Sequence, residues 1–244
     1  MQSGMYVSLS GQRALDKRLT TIADNMANVN TVGFRSTEVK FDDIIARTGN
    51  DMNAKVAFVS QGNDYLNTQS GEMQETGNPL DVAVKGDAWM SLQTPAGQVL
   101  TRDGRFSLTT TGELVSVRGY PVMDIGGGTI QLNPNGGEAS ISRNGTVFQD
   151  GKQIAQIGLF TADVSKGYLR YDNSGVKTTQ TPQPVVDDGT VGVMQGYVEQ
   201  SNVNGISQMT QLIQVSRAFE SISNSMSQSE TNMSEALKTL GGSK

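Results

Sequence analysis

The sequence predicts an α+β fold in which one helix at each end of the chain flanks an antiparallel β domain. Apolar residues recur every three or four positions near both termini, which is the spacing of one helix face. The middle of the chain instead holds short apolar runs separated by Gly-containing turns, as antiparallel β proteins do. We expect the terminal helices to pair as a coiled-coil-like helical domain, with the all-β domain nested between them.

The N-terminal helix is predicted from about residue 4 to residue 28. Its apolar residues from Leu15 onward are separated by steps of four, three, four and three, as at the a and d positions of a heptad. This spacing makes them candidates for the assembly interface. The candidate residues on this helix are Leu15, Leu19, Ile22, Met26 and Val29.

The C-terminal helix is predicted to be about 35 residues long and to end at Gly241-Gly242. One face alternates steps of three and four, while the other carries Ser, Gln, Asn and Thr with few charges. Small uncharged polar groups suit close packing of further helices, although a solvated low-complexity face has the same composition. The candidate assembly residues on this helix are Met209, Leu212, Phe219, Met226, Met233 and Leu237.

The intervening chain is divided by its turn signals. Residues 77–175 are predicted to form the antiparallel β domain, with hairpin turns at Asn144-Gly145 and Asp150-Gly151. Residues 36–76 and 176–204 are polar and rich in Gly, Asn and Thr, with scattered strand signals, which is typical of extended connectors. The helical domain is then discontinuous and comprises residues 1–35 and 205–244.

The pattern Asn-Val-Asn occurs once at each end of the chain, in ANVN at 27–30 and SNVN at 201–204. Asn tolerates turn conformations and its amide bonds neighbouring backbone, so these segments are predicted to be the corners where the helices join the connectors. The expected hinge residues are Asn25, Asn28, Asn30, Gly33, Asn202, Asn204 and Gly205.

The composition of the chain disfavours catalytic, metal-binding and nucleic-acid-binding functions. The 244 residues contain no histidine and no cysteine and carry a net charge of −5, which disfavours nucleic-acid binding and the commonest catalytic and metal sites. The adjacent carboxylates Asp42-Asp43 and Asp187-Asp188 would point to opposite faces of a strand. DIGGGT at 124–129 lacks the lysine of a phosphate loop. We therefore expect no catalytic residue, cofactor, metal or small-molecule substrate.

Several longer motifs carry a family resemblance. These motifs follow one another along nearly the whole chain, in the order SGMYVSLSGQ…NMANVNTVGFRS, TGNPLDVAVKGDAW, TRDGRF, GYPV, GYVEQSNVN and RAFE. Together they resemble the flagellar rod and hook family, and most closely its proximal-rod member. The resemblance implies a subunit that contacts copies of itself and other rod proteins. It also implies export by the flagellar type III apparatus and a location in the basal-body rod across the periplasm, with the two corners between an inner helical and an outer β layer.

Three alternatives remain at the level of the sequence. The chain could be the longer distal-rod protein of the same family, but Trp89-Met90 and Gln208-Met209 depart from the motifs common in the family, and these departures and the shortness of the chain favour the proximal rod. A secreted adhesin-like binding module would also use helical anchors. A carbohydrate-active enzyme would depend on a pair of carboxylates in the β domain, whereas an assembly protein should be sensitive to charges inserted on its helix faces.

Overall fold

The chain forms two compact units in the structure, a computed structural model that describes residues 2–47, 55–186 and 189–242. The helical unit comprises Met1–Ala27, Thr37–Tyr65 and Asn204–Lys244, and the β unit comprises Asn28–Ser36 and Leu66–Val203. Two long helices and many antiparallel strands are present, which confirms the predicted α+β class.

The helical unit is built on helix α1, Gln2–Ala27, and helix α2, Gly205–Gly241. Its strands are β1 Thr37–Lys40, β2 Asp43–Arg47, β3 Lys55–Val59 and β4 Asn63–Leu66. Strand β1 pairs with β4, and β2 pairs antiparallel with β3. Strand β3 lies against α1, where the backbone N–H of Val59 donates to Ser10 Oγ at 3.3 Å. In the described part of the chain, neither helix is long and apolar enough to cross a membrane.

In its described residues, which exclude 187–188, the β unit contains fifteen further strands and one short 3-10 turn, Val164–Lys166. The strands are β5 Met73–Glu75, β6 Val82–Lys85, β7 Trp89–Thr94, β8 Gly97–Thr101, β9 Phe106–Leu108, β10 Leu114–Ser116, β11 Ser140–Ile141, β12 Thr146–Gln149, β13 Lys152–Gln156, β14 Leu159–Thr161, β15 Tyr168–Tyr171, β16 Gly175–Thr178, β17 Gln183–Pro184, β18 Gly192–Gln195 and β19 Tyr197–Glu199.

The largest sheet of the β unit has six strands in the order β15-β16-β8-β7-β14-β17. A three-stranded sheet, β11-β12-β13, contains both predicted hairpin turns. Between β12 and β13, Asp150 and Gly151 both have positive φ, 52° and 74°, as a two-residue type I′ turn requires. Between β11 and β12, the Gly145 N–H donates to Ser142 O at 2.8 Å. These two turn predictions are confirmed.

Strand β7 separates two apolar clusters. Trp89 and Met90 are successive strand residues and therefore point to opposite faces. Met90 packs in the larger cluster with Val82, Leu114 and Ile130, among others, while Trp89 packs with residues such as Leu100 and Phe160. The only tryptophan of the chain is thus a buried core residue.

The observed boundaries differ from the predicted ones in two places. Helix α1 ends at Ala27, so Val29 lies in the following turn and is not on a helix face. The predicted connectors 36–76 and 176–204 contain strands β1–β5 and β16–β19, and residues 37–65 belong to the helical unit. The scattered strand signals in these segments did not define the bounds of the strands, because short apolar runs are ambiguous in sequence.

Candidate functional site

The two long helices lie against each other in opposite directions. Ile22 and Asn25, near the end of α1, share a cavity of about 370 Å³ with Gln208 and Gln211, near the start of α2. At the other end of α1, Met5 borders a groove formed mainly by residues 225–240 of α2. In the middle, Gly11 faces Ile222, whose Cδ1 would lie 3.6 Å from a Cβ added to the glycine.

On α1, the structure buries most of the predicted stripe. Ile22 is buried, and Leu15, Leu19 and Met26 are half-buried. Ala14 is also buried although the pattern omits it, because a small residue gives a weak periodic signal. These residues therefore lie at least partly inside the helical unit, and their role in assembly stays a prediction.

On α2, only part of the predicted stripe is covered. Leu212, Phe219 and Met226 are half-buried, but Met209, Met233 and Leu237 are exposed. Val215 is the one buried residue of α2, and Ile222 is half-buried. Both were missed because two stripes with alternating steps of three and four overlap on this helix. The steps of three and four from Leu212 to Met226 pass through Ser216 and Ser223, which are small and polar. The large apolar side chains of Val215 and Ile222 beside them were the signal that could have found the buried face.

The helical unit exposes many large apolar side chains on its two helices. Scattered apolar residues are normal on protein surfaces, but contiguous apolar patches mark interaction sites. The exposed residues are Met5, Tyr6, Leu9, Ile206, Met209, Ile213, Met233, Leu237 and Leu240.

At the first corner, Asn25 serves as a backbone mimic. Its amide Nδ2 donates to Thr37 O at 2.8 Å, and its Oδ1 accepts from Thr37 N at 2.9 Å, so α1 is joined to β1 through a buried side chain. Asn28 bonds locally, with Oδ1 accepting from the Thr31 hydroxyl at 3.0 Å. Asn30 lies exposed in the turn.

At the second corner, the Asn residues of the pattern bond the backbone of other segments and cap helix α2. Asn202 Oδ1 accepts from Ser36 N at 2.7 Å, and its Nδ2 donates to Asn67 O at 3.2 Å and to Gln69 O at 2.9 Å. Asn204 caps α2 by accepting from Ser207 N at 3.0 Å, and Gly205 begins the helix. Whether the two corners act as hinges stays a prediction.

A buried ion cluster lies beside these corner segments, in the β unit. The Glu199 carboxylate forms an ion pair with Arg35, whose Nη2 lies 2.6 Å from Oε1, and it accepts a hydrogen bond from Arg102 Nη1 at 3.1 Å. All three side chains are 1% exposed. Glu199 Oε1 also accepts from Gly71 N at 3.0 Å. Both guanidinium groups lie near the Trp89 ring, 5.9 and 5.2 Å from its centroid. The cluster therefore ties together segments that are far apart in sequence.

Burial perturbs the two arginines of this cluster. Desolvation lowers the pKa of Arg35 to about 10, against the opposing attraction of Glu199. Desolvation likewise lowers the pKa of Arg102, again opposed by Glu199. Both guanidinium groups stay protonated at neutral pH, so one carboxylate is bonded to two buried cations. Sequence reasoning missed the cluster, although its members stand inside the motifs GFRS, TRDGRF and GYVEQ.

Gly33 occupies a position that no larger residue fits. Its φ is +70°, and a Cβ added there would lie 2.2 Å from the backbone nitrogen of Asp103. The Gly33 N–H donates to Glu199 O at 2.7 Å, so the segment cannot easily move away. The glycine allows residues 28–36 to pack directly on the strand connection at Asp103.

We expect Gly33→Ala to destabilise the protein by about 2 kcal/mol or more, since it combines a left-handed conformation with a backbone clash. Gly119→Ala is the matched control, because Gly119 has a φ of +80° but nothing within 4 Å of the added Cβ. Urea denaturation of both variants measures the difference. Equal losses of stability would show that the close approach at Asp103 is unimportant.

The described residues offer few groups that could form a catalytic or metal-binding site. Within residues 2–47, 55–186 and 189–242, no three Asp or Glu side chains are grouped as a metal site. Asp42 and Asp43 are exposed, and Asp187 and Asp188 lie outside the described residues. The Gly-rich segment 124–129 closes on itself, with Asp124 Oδ1 accepting from Gly128 N at 2.7 Å.

Three family models match the chain in the order in which its motifs occur. "Flagella basal body rod protein" matches residues 5–35 and so covers most of α1 and the first corner. "Flagellar hook protein FlgE/F/G D1 domain" matches residues 83–149 of the β unit. "Flagellar basal body rod FlgEFG protein C-terminal" matches residues 194–239, which include the second corner and α2.

Full-length relatives decide the family. The chain is 54% identical over 244 residues to the flagellar basal-body rod protein FlgF of Rhizobium meliloti (strain 1021), covering 100% of both chains. It is 49% identical over 241 residues to FlgF of Mesorhizobium japonicum, covering 99% of both. The chain belongs to the flagellar basal-body rod protein family. FlgG of Bacillus subtilis, another rod-family protein, is 32% identical over 260 residues, covering 96% of this chain and 98% of that one.

Membership of the rod family confirms the main prediction from the motifs. The chain is more similar to the two FlgF proteins than to FlgG of Bacillus subtilis, in agreement with the predicted resemblance. Because the family is one of structural rod proteins, the prediction that the chain is not an enzyme is confirmed as well.

Proposed function

We propose that this chain is a structural subunit of the bacterial flagellar basal-body rod and that it assembles through its terminal helices. The observation that carries the proposal is the row of exposed apolar side chains on α1 and α2, which includes Leu9, Met209 and Leu237. Such a surface is costly in a protein that remains alone in water, but it is expected of one that packs among copies of similar helices.

The assembly is an open helical polymer. Contacts between different surfaces of successive subunits do not close, and they generate a filament instead of a ring. In this arrangement the segments 1–35 and 205–244 pair as a coiled-coil-like helical layer. Along the chain, residues 36–76 and 176–204 connect that layer to the β domain, residues 77–175. The corner residues are Asn25, Asn28, Asn30, Gly33, Asn202, Asn204 and Gly205, at the ends of the helical segments.

As a rod subunit, the chain transmits torque along a shaft that crosses the periplasm. Its partners are copies of itself and other rod proteins, and it reaches its position through the flagellar type III export apparatus. Its greater similarity to FlgF than to FlgG supports a place in the proximal rod. The distal rod is the alternative location.

The test is to locate the chain in purified basal bodies. A short tag inserted in the exposed turn at Arg118-Gly119 should leave the fold intact, because nothing lies within 4 Å of a Cβ added to Gly119. Electron microscopy with a labelled tag binder should show density along the proximal part of the rod. Label only in the distal part of the rod would favour the alternative location. A motile strain whose basal bodies carry label only outside the rod, or none at all, would contradict the proposal.

A further inference from the structure

Helix α2 is longer than the helix beside it. It has 37 residues and α1 has 26, which correspond to about 55 and 39 Å at 1.5 Å per residue. The two run antiparallel, with the end of α1 near Gln208 and Gln211 and its beginning near residues 225–240. The last turns of α2 therefore extend beyond the part of the helix that α1 covers.

The face of α2 that contacts α1 continues into this extension. Met233, Leu237 and Leu240 follow Met226 at steps of seven, four and three, and so stay on the same side of the helix. Their exposed fractions rise along the chain, 38%, 66% and 81%. Together with Met5 they line an apolar groove of about 500 Å³, which we call the overhang groove.

A second apolar surface lies at the opposite end of α2. Ile206, Met209 and Ile213 are 80%, 58% and 53% exposed, although the neighbouring Leu212 and Val215 are covered. Their spacing of i, i+3 and i+7 places them on one helix face, distinct from the face that contacts α1. Residues 205–216 carry no charged side chain. We call Ile206, Met209 and Ile213 the 206–213 stripe.

We propose that the 206–213 stripe of one copy of this chain docks into the overhang groove of a second copy. The proposal rests on the proposed function and names the partner of the helical surface. Anchors at i, i+3 and i+7 are the pattern by which an amphipathic helix enters an apolar groove. The methionines of the groove can adapt their side chains to such anchors.

Other occupants of the groove fit less well. Docking of one overhang groove on another would use the same patch twice and close as a dimer, whereas the groove and the stripe are different patches and generate an open assembly. Ile44 and Ile45 are also exposed, but they are successive residues of strand β2 and point to opposite faces. Only one of them could enter a groove at a time.

The absence of cysteine from the chain allows a direct test by disulfide trapping. A motile strain would produce two differently tagged full-length copies, one with Met209→Cys and the other with Leu237→Cys. After mild oxidation, a disulfide joining the two tags is expected, since bonding requires the Cβ atoms to approach to about 4 Å. Gln214→Cys with Leu237→Cys is the matched control, because Gln214 is exposed but off the stripe. We expect at least tenfold less product from this control pair.

Contrary outcomes are distinguishable. A disulfide between two copies of the Leu237→Cys variant would show that the groove contacts itself symmetrically. Disulfides formed only with another cysteine-bearing protein would show that the groove has a different partner. Either result overturns the proposal. If the first pair impairs motility, Ile213→Cys with Leu240→Cys serves as a second pair. Absence of any mixed disulfide in basal bodies that carry the tagged chain would overturn this docking while leaving the rod function intact. Absence of the chain from basal bodies would instead refute the proposed function.

Discussion

Replacing Glu199 by glutamine is expected to destabilise the protein by about 3–5 kcal/mol, which is the usual cost of removing one partner from a buried ion pair. Glutamine keeps the size of the side chain and much of its hydrogen bonding. Among the residues that the structure describes, it removes the only carboxylate paired with the Arg35 and Arg102 guanidinium groups, which are both 1% exposed. The two cations would then face each other in a desolvated site. The fall in unfolding free energy is measured by urea denaturation.

The matched control for Glu199→Gln is Asp64→Asn in the helical unit. Asp64 pairs with Lys17 at 3.0 Å, but these side chains are 46% and 35% exposed. Because water screens such a pair, its loss should cost no more than about 1 kcal/mol. Equal effects of the two substitutions would show that burial does not set the energy of the Glu199 cluster. A stability unchanged in Glu199→Gln would show that the cluster contributes little to folding.

Inserting a charge at Met226 is expected to abolish motility. Met226 is half-buried on the face of α2 that contacts α1, and it borders the overhang groove with Met5 and Met233. In Met226→Lys, packing of a neighbouring helix over this position would strand an ammonium group without a partner. In the purified subunit the lysine can extend into water, so melting of the β unit should be almost unchanged. Swimming assays and calorimetry measure the two effects separately.

Met226→Leu is the control for this substitution. Leucine conserves the apolar character and nearly the volume, so motility should remain close to that of the unchanged protein. A large fall in the melting temperature of purified Met226→Lys would place Met226 in an internal core instead of an assembly surface. Normal swimming by Met226→Lys would show that this face of α2 makes no contact in the rod.

Several features were determined by the sequence alone because they depend on local chemistry. Both terminal helices follow from the three- and four-residue spacing, and the end of α2 at Gly241 follows from the two glycines. The hairpin turns at Asn144-Gly145 and Asp150-Gly151 follow from the conformations that Asn, Asp and Gly tolerate. Family membership follows from motifs of several residues in a fixed order. Each of these signals is contained in neighbouring residues.

Other features were decided only by tertiary structure. Two apolar stripes overlap on α2, and contact with α1 selects the one that includes Val215 and Ile222. Asn202 of the repeated pattern bonds segments distant in sequence, because Ser36, Asn67 and Gln69 converge around it.

The buried ion cluster is the clearest example of a feature that the sequence does not predict. Arg35, Arg102 and Glu199 are separated by 67 and 97 positions, and nothing local distinguishes them from exposed charges. A charged side chain becomes part of a core only when its partner arrives from another segment, since burial without that partner costs several kcal/mol. The pairing therefore exists only in the folded β unit, where the segments meet at Glu199.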